Sequence, residues 1–326
     1  MALAPRVGDT ASRVAPSTEA STMLIGQTPV VELRRLAPSP AIRLFAKLEW
    51  ANPTGSVKDR VAQAMIADAL ASGALREGQT ILEPSSGNTG ISLAMIGARL
   101  GHPVRIVMPD NTTPERTQLL GAFGAEIVYS SGAGGSNGAI RLAQELVVAD
   151  PDLFMPMQYA NEANPRVHEE TTGPEILADL PDLDVFVAGL GTGGTLTGVG
   201  RYLKAKRTDL RVIAAEPLPG ELVSGLRSLD DGYVPPVLDA RVLDDRYLVS
   251  NRDAVIGVRR LMREEGLFAG LSSGAVLSVG LKVAAEMQVG TIVLLLADGG
   301  WKYLSTGLWT RDLGDLADEF EGTVLW

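Results

Sequence analysis

The chain reads as an α/β protein built on parallel sheets, and three observations predict this. Strand-like and helical runs alternate almost throughout. Several strand runs are apolar along their whole length, as central parallel strands buried on both faces must be; Val185-Phe186-Val187-Ala188, Arg211-Val212-Ile213-Ala214-Ala215 and Ile292-Val293-Leu294-Leu295-Leu296 are the clearest. Glycine-rich turns follow the carboxyl ends of strands, where open α/β sheets bind their ligands.

The elements follow in order. Ile42 to Glu49 alternates like a strand, and Asn52-Pro53 and Gly55 make a turn. Ala62, Met65, Ile66, Ala69 and Leu70 then recur at helical spacing up to Gly73, with Ser56 the expected N-cap. Thr80 to Glu83 is a strand that leads through Ser85-Ser86-Gly87-Asn88-Thr89-Gly90 into a helix over Ile91 to Leu100. Val104 to Met108 is the next strand, and Pro114 opens the helix after it. Ala125 to Tyr129 is another strand; the glycine-rich loop Gly132 to Gly138 precedes a helix around Ala139 to Val148. Pro217 to Leu238 carries four prolines and three glycines without periodicity, and a loop of that length inside a compact protein suggests a lid. Residues 1–21, rich in Ala, Ser, Thr and Pro, read as a disordered extension without a signal-peptide apolar region, on a cytoplasmic protein.

Composition narrows the function. With 326 residues and 45% hydrophobic content, the chain is long enough for two cooperating cores. A formal net charge of -10 and a pI of about 4.9 argue against nucleic acid or an anionic membrane as a partner, though not against a local pocket for a small anion. With 0 cysteines there is no disulfide framework, thiolate metal site or thiol nucleophile, and the 2 histidines, His102 and His168, lack metal-ligand spacing. No apolar run is long enough to span a bilayer.

The pattern converges on Lys58. It falls in the first turn of a helix, where the dipole disfavours positive charge and lowers a lysine pKa toward nucleophilic use. Alone it reads equally as a surface lysine. The run Gly189-Leu190-Gly191-Thr192-Gly193-Gly194-Thr195 sits between a strand and a helix, so its backbone N–H groups can approach a phosphate. With Glu216 about 20 residues on, it also fits a dinucleotide fingerprint, which leaves a nicotinamide dehydrogenase as the different-class alternative. Ser85 to Gly90 suits a carboxylate or phenolate oxygen, or is a plain capping loop. In Gly270-Leu271-Ser272-Ser273-Gly274-Ala275, spacing alone makes Ser272 a helix cap.

Taken together and in order, Asn52 to Arg60, Ser86-Gly87-Asn88-Thr89-Gly90, Gly191 to Thr195 and Ser272-Ser273-Gly274-Ala275 form a motif set that resembles the pyridoxal phosphate enzymes of fold type II (tryptophan synthase β-like), specifically the cysteine synthases. The resemblance covers nearly all of the chain after the first twenty or so residues. It implies two parallel-sheet α/β domains with pyridoxal 5'-phosphate between them: a smaller one over residues 45–155 and a larger one from 22–44 plus 156–326. It implies that Lys58 forms the Schiff base, that Asn88 bonds the ring 3′-oxygen and Ser272 the pyridine nitrogen, and that Gly191, Thr192, Gly193, Gly194 and Thr195 cradle the phosphate. Ser85, Ser86, Thr89 and Gln158 would hold the substrate carboxylate, and His168 receives no catalytic role. The implied reaction makes L-cysteine from an O-activated serine through an aminoacrylate, with Lys58 as anchor, base and acid. A serine or threonine dehydratase and a cystathionine β-synthase are alternatives on the same fold.

Two departures refine the resemblance. Ser85 stands where many members have Thr, and the segment Ala297 to Thr306 lacks the acidic residue that acetylserine enzymes carry near Trp301. With the short tail Thr323 to Trp326, this looks like the actinobacterial O-phosphoserine sulfhydrylase branch, in which a lid arginine recognises the substrate phosphate. Arg227 stands at that place, with a solvated lid arginine as the simpler reading. The resemblance further implies a homodimer and, as sulfur donor, sulfide or a small thiocarboxylated carrier protein.

Overall fold

The computed structural model describes residues 25–314 apart from 86 and 222, together with 316. The expected disordered extension at 1–21, Ser86 and the tail at 323–326 lie outside the described residues. The chain opens with β1 (Val30–Glu32), antiparallel to β2 (Ile42–Leu48), and passes through a tight turn into α1 (Lys58–Ala71). A smaller sheet follows: β3 (Thr80–Pro84), α2 (Asn88–Leu100), β4 (Val104–Pro109), α3 (Pro114–Ala122), β5 (Glu126–Ser130), α4 (Gly135–Ala149) and β6 (Leu153–Phe154). The chain returns through α5 (Ala163–Val167), one π-helical turn at His168–Thr172 and α6 (Gly173–Asp179). It then builds the larger sheet with β7 (Val185–Gly189), α7 (Gly194–Lys206), β8 (Arg211–Pro217), β9 (Asp245–Val249), α8 (Asn251–Glu265), α9 (Leu271–Glu286) and β10 (Gly290–Leu296).

The strand orders are β1-β2-β10-β7-β8-β9 and β5-β4-β3-β6, and every pairing except β1 with β2 is parallel. Strand periodicity divides the apolar runs between two cores. Ile292, Leu294 and Leu296 face one layer with Val255, Leu261, Ala275 and Val279, while Val293 and Leu295 face the other with Ile176, Leu196, Val199 and Leu203. Each such side chain contributes about 1.5–3 kcal/mol on burial, which is why these strands tolerate no polar alternation. The smaller sheet is covered likewise, by α1 and α2 on one face and α4 on the other.

Two local expectations change. The alternation expected of Ile42 to Glu49 is absent: all of β2 except Arg43 is buried, because it pairs on both edges and is covered on both faces. At α1 the N-cap position is Val57 rather than Ser56, whose hydroxyl instead accepts the Lys58 N–H at 3.3 Å.

Helix α1 is fastened to the larger sheet by buried charge. The Arg60 guanidinium donates two hydrogen bonds to Glu49, both at 2.9 Å, and two to Glu175, at 2.6 and 2.8 Å. Lys47, fully buried on β2, pairs with Glu175 at 2.8 Å and donates to the Thr28 carbonyl at 2.7 Å. Removing one partner of a buried pair strands the other. Arg60→Met is therefore expected to destabilise the protein by about 3–5 kcal/mol, seen as a fall in thermal midpoint; an unchanged midpoint would show the cluster to be dispensable.

Candidate active site

The turn before α1 is built to hold Lys58. Asn52 donates to Glu49 Oε2 at 2.9 Å and accepts the Gly26 N–H at 2.8 Å. Asp59 accepts from the Thr54 N–H at 2.7 Å and from the Thr54 and Ser92 hydroxyls at 2.5 Å. The Val57 N–H donates to Ala297 O at 2.9 Å, tying the turn to the end of β10. Lys58 then lines a pocket between the two sheets. Its pKa lies below the ordinary lysine value because burial removes solvent from the ammonium, a loss partly offset by Asp298 and Glu49. Desolvation is the largest cause.

The smaller sheet supplies one wall. Ser85, Asn88 and Thr89 all line the pocket at the start of α2. The Ser85 hydroxyl accepts from the Gly90 N–H at 3.0 Å, so it does help to cap this helix. Thr89 donates to Gln158 Oε1 at 2.7 Å, which brings together two side chains far apart in sequence. Gln158 is positioned from behind by Glu83, whose carboxyl accepts the N–H groups of Met157 and Gln158 at 2.8 and 2.9 Å. Burial pushes the Glu83 carboxyl up to about 7, against the lowering effect of those two bonds.

The larger sheet supplies the other wall. Gly191 and Thr192 line the pocket after β7, and α7 begins at Gly194, whose N–H donates to Thr192 Oγ1 at 3.3 Å; a helix start there can offer further N–H groups to an anion. Two glycines here are required by geometry: Gly193 has φ +86°, and a Cβ on Gly191 would lie 2.6 Å from the Gly225 carbonyl. Gly193, Gly194 and Thr195 lie next to the lining rather than in it, and the Thr195 hydroxyl meets His168 Nε2 at 3.2 Å. Burial drives the His168 pKa well below its ordinary value, so this histidine is a neutral packing group. Ser272 lines the pocket, and α9 starts after Gly270 with no side-chain cap; the cap reading is therefore corrected.

The stretch 217–238 lies against this mouth, with Ser224, Gly225, Leu226 and Arg227 in the lining. Arg227 lies 4.7 Å from the Tyr233 ring centroid and 5.4 Å from that of Tyr159, and donates to Asn137 Oδ1 at 3.3 Å. Four residues that no motif singled out also line or brace the pocket. Arg116 donates to the Ser224 hydroxyl at 2.7 Å and stacks over Tyr303, 4.9 Å from its centroid. Tyr303 donates to Asp298 at 2.8 Å, and Lys302 to Asn88 Oδ1 at 2.6 Å. Asp298 to Tyr303 directly follow β10, a central strand, and that position was the signal available in the sequence.

Comparisons with known proteins agree with this arrangement. A family model described as pyridoxal-phosphate dependent enzyme matches residues 21–298. A cysteine synthase from Staphylococcus aureus is 43% identical over 301 residues, covering 89% of this chain and 97% of the relative. Among solved structures, O-ureido-L-serine synthase superposes with a TM-score of 0.83 at 41% identity, covering 90% of this chain and 97% of that one. A cysteine synthase from Entamoeba histolytica superposes with a TM-score of 0.83 at 32% identity, covering 97% and 99%. The family match overturns the dehydrogenase alternative. Glu216, which that alternative needs on a ribose, is instead buried, accepting from the Leu229 N–H at 2.6 Å and pairing with Arg246 at 3.1 Å.

The raised Glu83 pKa has a definite sign. The folded protein holds this proton up to about pH 7, whereas an unfolded chain releases it near the ordinary glutamate value of 4.5. The Glu83 contribution to stability is therefore lost as pH rises between those values. Glu83→Gln should flatten the decline in thermal midpoint across that window relative to the parent protein; parallel curves would refute the assignment.

Proposed function

The chain belongs to the family of pyridoxal-phosphate dependent enzymes, within its cysteine synthase group, and we propose that it makes L-cysteine by β-replacement on O-phospho-L-serine, with O-acetyl-L-serine second. The residues present fit the cofactor. Lys58 offers an amine with a depressed pKa, the start of α7 offers N–H groups to a phosphate, and Ser272 and Asn88 offer polar atoms to a ring between them. When bound, pyridoxal phosphate supplies the electron sink that makes the α-carbon of an amino acid acidic.

The protein's own groups do the rest. Lys58 Nζ would be the covalent anchor and then the base that carries the α-proton, a task that its desolvation favours by lowering the pKa of the amine. Thr89 and Gln158, coupled to each other, would hold the substrate carboxylate together with Ser85 and Ser86. Gly191 to Thr195 would hold the cofactor phosphate.

The observation that carries the substrate choice is the placement of Arg227. Its guanidinium faces the same pocket as Lys58, held among Tyr159, Tyr233 and Asn137 rather than lying free on the lid. A planar, pre-positioned fork matches a phosphate dianion and gives neutral acetyl nothing comparable. On the same reading the enzyme is a cytoplasmic homodimer, and the sulfur arrives as sulfide or on a thiocarboxylated carrier protein.

Steady-state kinetics with each serine ester and sulfide test this. Losing charged hydrogen bonds at Arg227→Ala is expected to lower kcat/KM for O-phosphoserine about 10- to 150-fold, with acetylserine nearly unchanged. An equal loss on both substrates would return Arg227 to a structural role. Lys58→Ala should abolish replacement with either ester, and activity surviving that change would sink the whole reading.

A further inference from the structure

Lys302 is a charged side chain with 0% exposure that the reaction described above does not use. It lies in the short 3-10 helix Gly300–Thr306 that follows β10. Its Nζ donates to Asn88 Oδ1 at 2.6 Å and to the Gly55 carbonyl at 3.3 Å. Asn88 in turn donates from Nδ2 to Asp298 Oδ2 at 2.8 Å, and Tyr303 donates to the same carboxylate oxygen at 2.8 Å.

The chemistry of these partners leaves the Asn88 amide one orientation. An ammonium can only donate and an ionised carboxylate can only accept. Flipping the amide would set its NH2 against Lys302 and its oxygen against Asp298, losing two charge-assisted bonds in a buried place and creating two repulsions. With Oδ1 committed to Lys302, the amide offers the pocket donor hydrogens. One is held by Asp298 and the second remains. The Gly55 contact adds a further constraint, because Gly55 belongs to the turn that delivers Lys58.

We propose that Lys302 is a positioning residue: it fixes the Asn88 amide as a donor toward an anionic ring oxygen of the cofactor and sets that amide at a constant distance from the Lys58 turn. The proposal deepens the functional reading above and rests on it. Burial lowers the Lys302 pKa to about 8, with Asp298 and Asp59 opposing that fall and Arg116 and Lys58 adding to it. Its charge is therefore held at neutral pH at a desolvation cost that a plain packing residue would avoid.

The test uses full-length protein freed of cofactor, then titrated with pyridoxal phosphate while dissociation constant and visible absorption are recorded. Lys302→Met and Lys302→Gln are compared with Lys302→Arg, which keeps a donor-only cation. Both neutral variants should bind the cofactor roughly 5- to 100-fold more weakly and shift its visible band, since the amide can then turn. Lys302→Arg should recover most of both properties. Gln is included because it packs as a polar side chain if Met does not fold. Neutral variants with the parent affinity and the parent spectrum would overturn the inference while leaving the functional reading intact. A parent protein that takes up no pyridoxal phosphate would overturn both.

Discussion

Everything at the pocket depends on the clamp at Arg60, two residues beyond Lys58 on the same helix. Its guanidinium is gripped by Glu49 at the end of β2 and by Glu175 on α6, each through two bonds. Burying such charges is offset only when geometry and hydrogen bonding are complete, and here they are: Thr28 donates to Glu49 at 2.6 Å and Lys47 completes Glu175. The Glu175 carboxyl is held down to about 2, the mark of a carboxylate fixed in its charged form. The clamp faces the larger sheet, while Ala62, Ile66 and Ala69 on α1 pack into the core of the smaller one. Helix α1 is thereby shared between the two sheets, and Lys58, at its first position, lies on the seam.

Burial has the opposite effect around the pocket. Lys58, Asp59, Glu83 and Lys302 are all pushed toward their neutral forms, and in each case loss of solvent is the largest cause. The contrast with Glu175 is one of pairing: bidentate arginine contacts outweigh desolvation, whereas backbone N–H groups or a single amide do not. The same chain thus holds charges firmly where two-pronged ion pairs fasten elements together and less firmly around the pocket. Glu216 belongs to the fastening class. By accepting from Leu229 and Arg246 it anchors the stretch after β8 at its far end, and Ser224 to Arg227 are left over the pocket.

Much of this was legible in the residues. The apolar runs announced parallel strands because both faces of the larger sheet are covered, and the glycine turns marked strand ends because close backbone approach admits little else, as Gly191 against Gly225 shows. Three features escaped for physical reasons. Strand β2 looked alternating because Arg43 and Lys47 are polar, yet Lys47 is buried by an ion pair with a helix more than a hundred residues away, which no local pattern reveals. Ser272 looked like a cap because caps and pocket hydroxyls share the same position at a helix start; only the geometry of Gly270 separates them. Lys302 and Tyr303 gave no period and no glycine signal, since their role comes from partners at Asn88 and Asp298.

The charge balance poses a last question, since the chain carries a net charge of -10 and the proposed ligands are themselves anions. The two scales do not compete. At physiological salt, exposed charges are screened beyond about 8 Å, so the acidic surface acts on solubility and on the approach of macromolecules. Within the pocket the basic groups are Lys58, Arg116 and Arg227, with Lys302 behind Asn88, and the carboxylate next to them is Asp298, whose Oδ2 accepts from Asn88 and Tyr303. A small phosphate ester therefore meets a local field of the opposite sign at short range, where solvent screening is weakest. Discrimination between one ester and another must then come from directed hydrogen bonds, because a diffuse positive field attracts every anion alike. Among the basic groups lining the pocket, Arg227 is the one carried by the stretch between β8 and β9, apart from Lys58 and Arg116, and for that reason the proposed choice between esters rests on it.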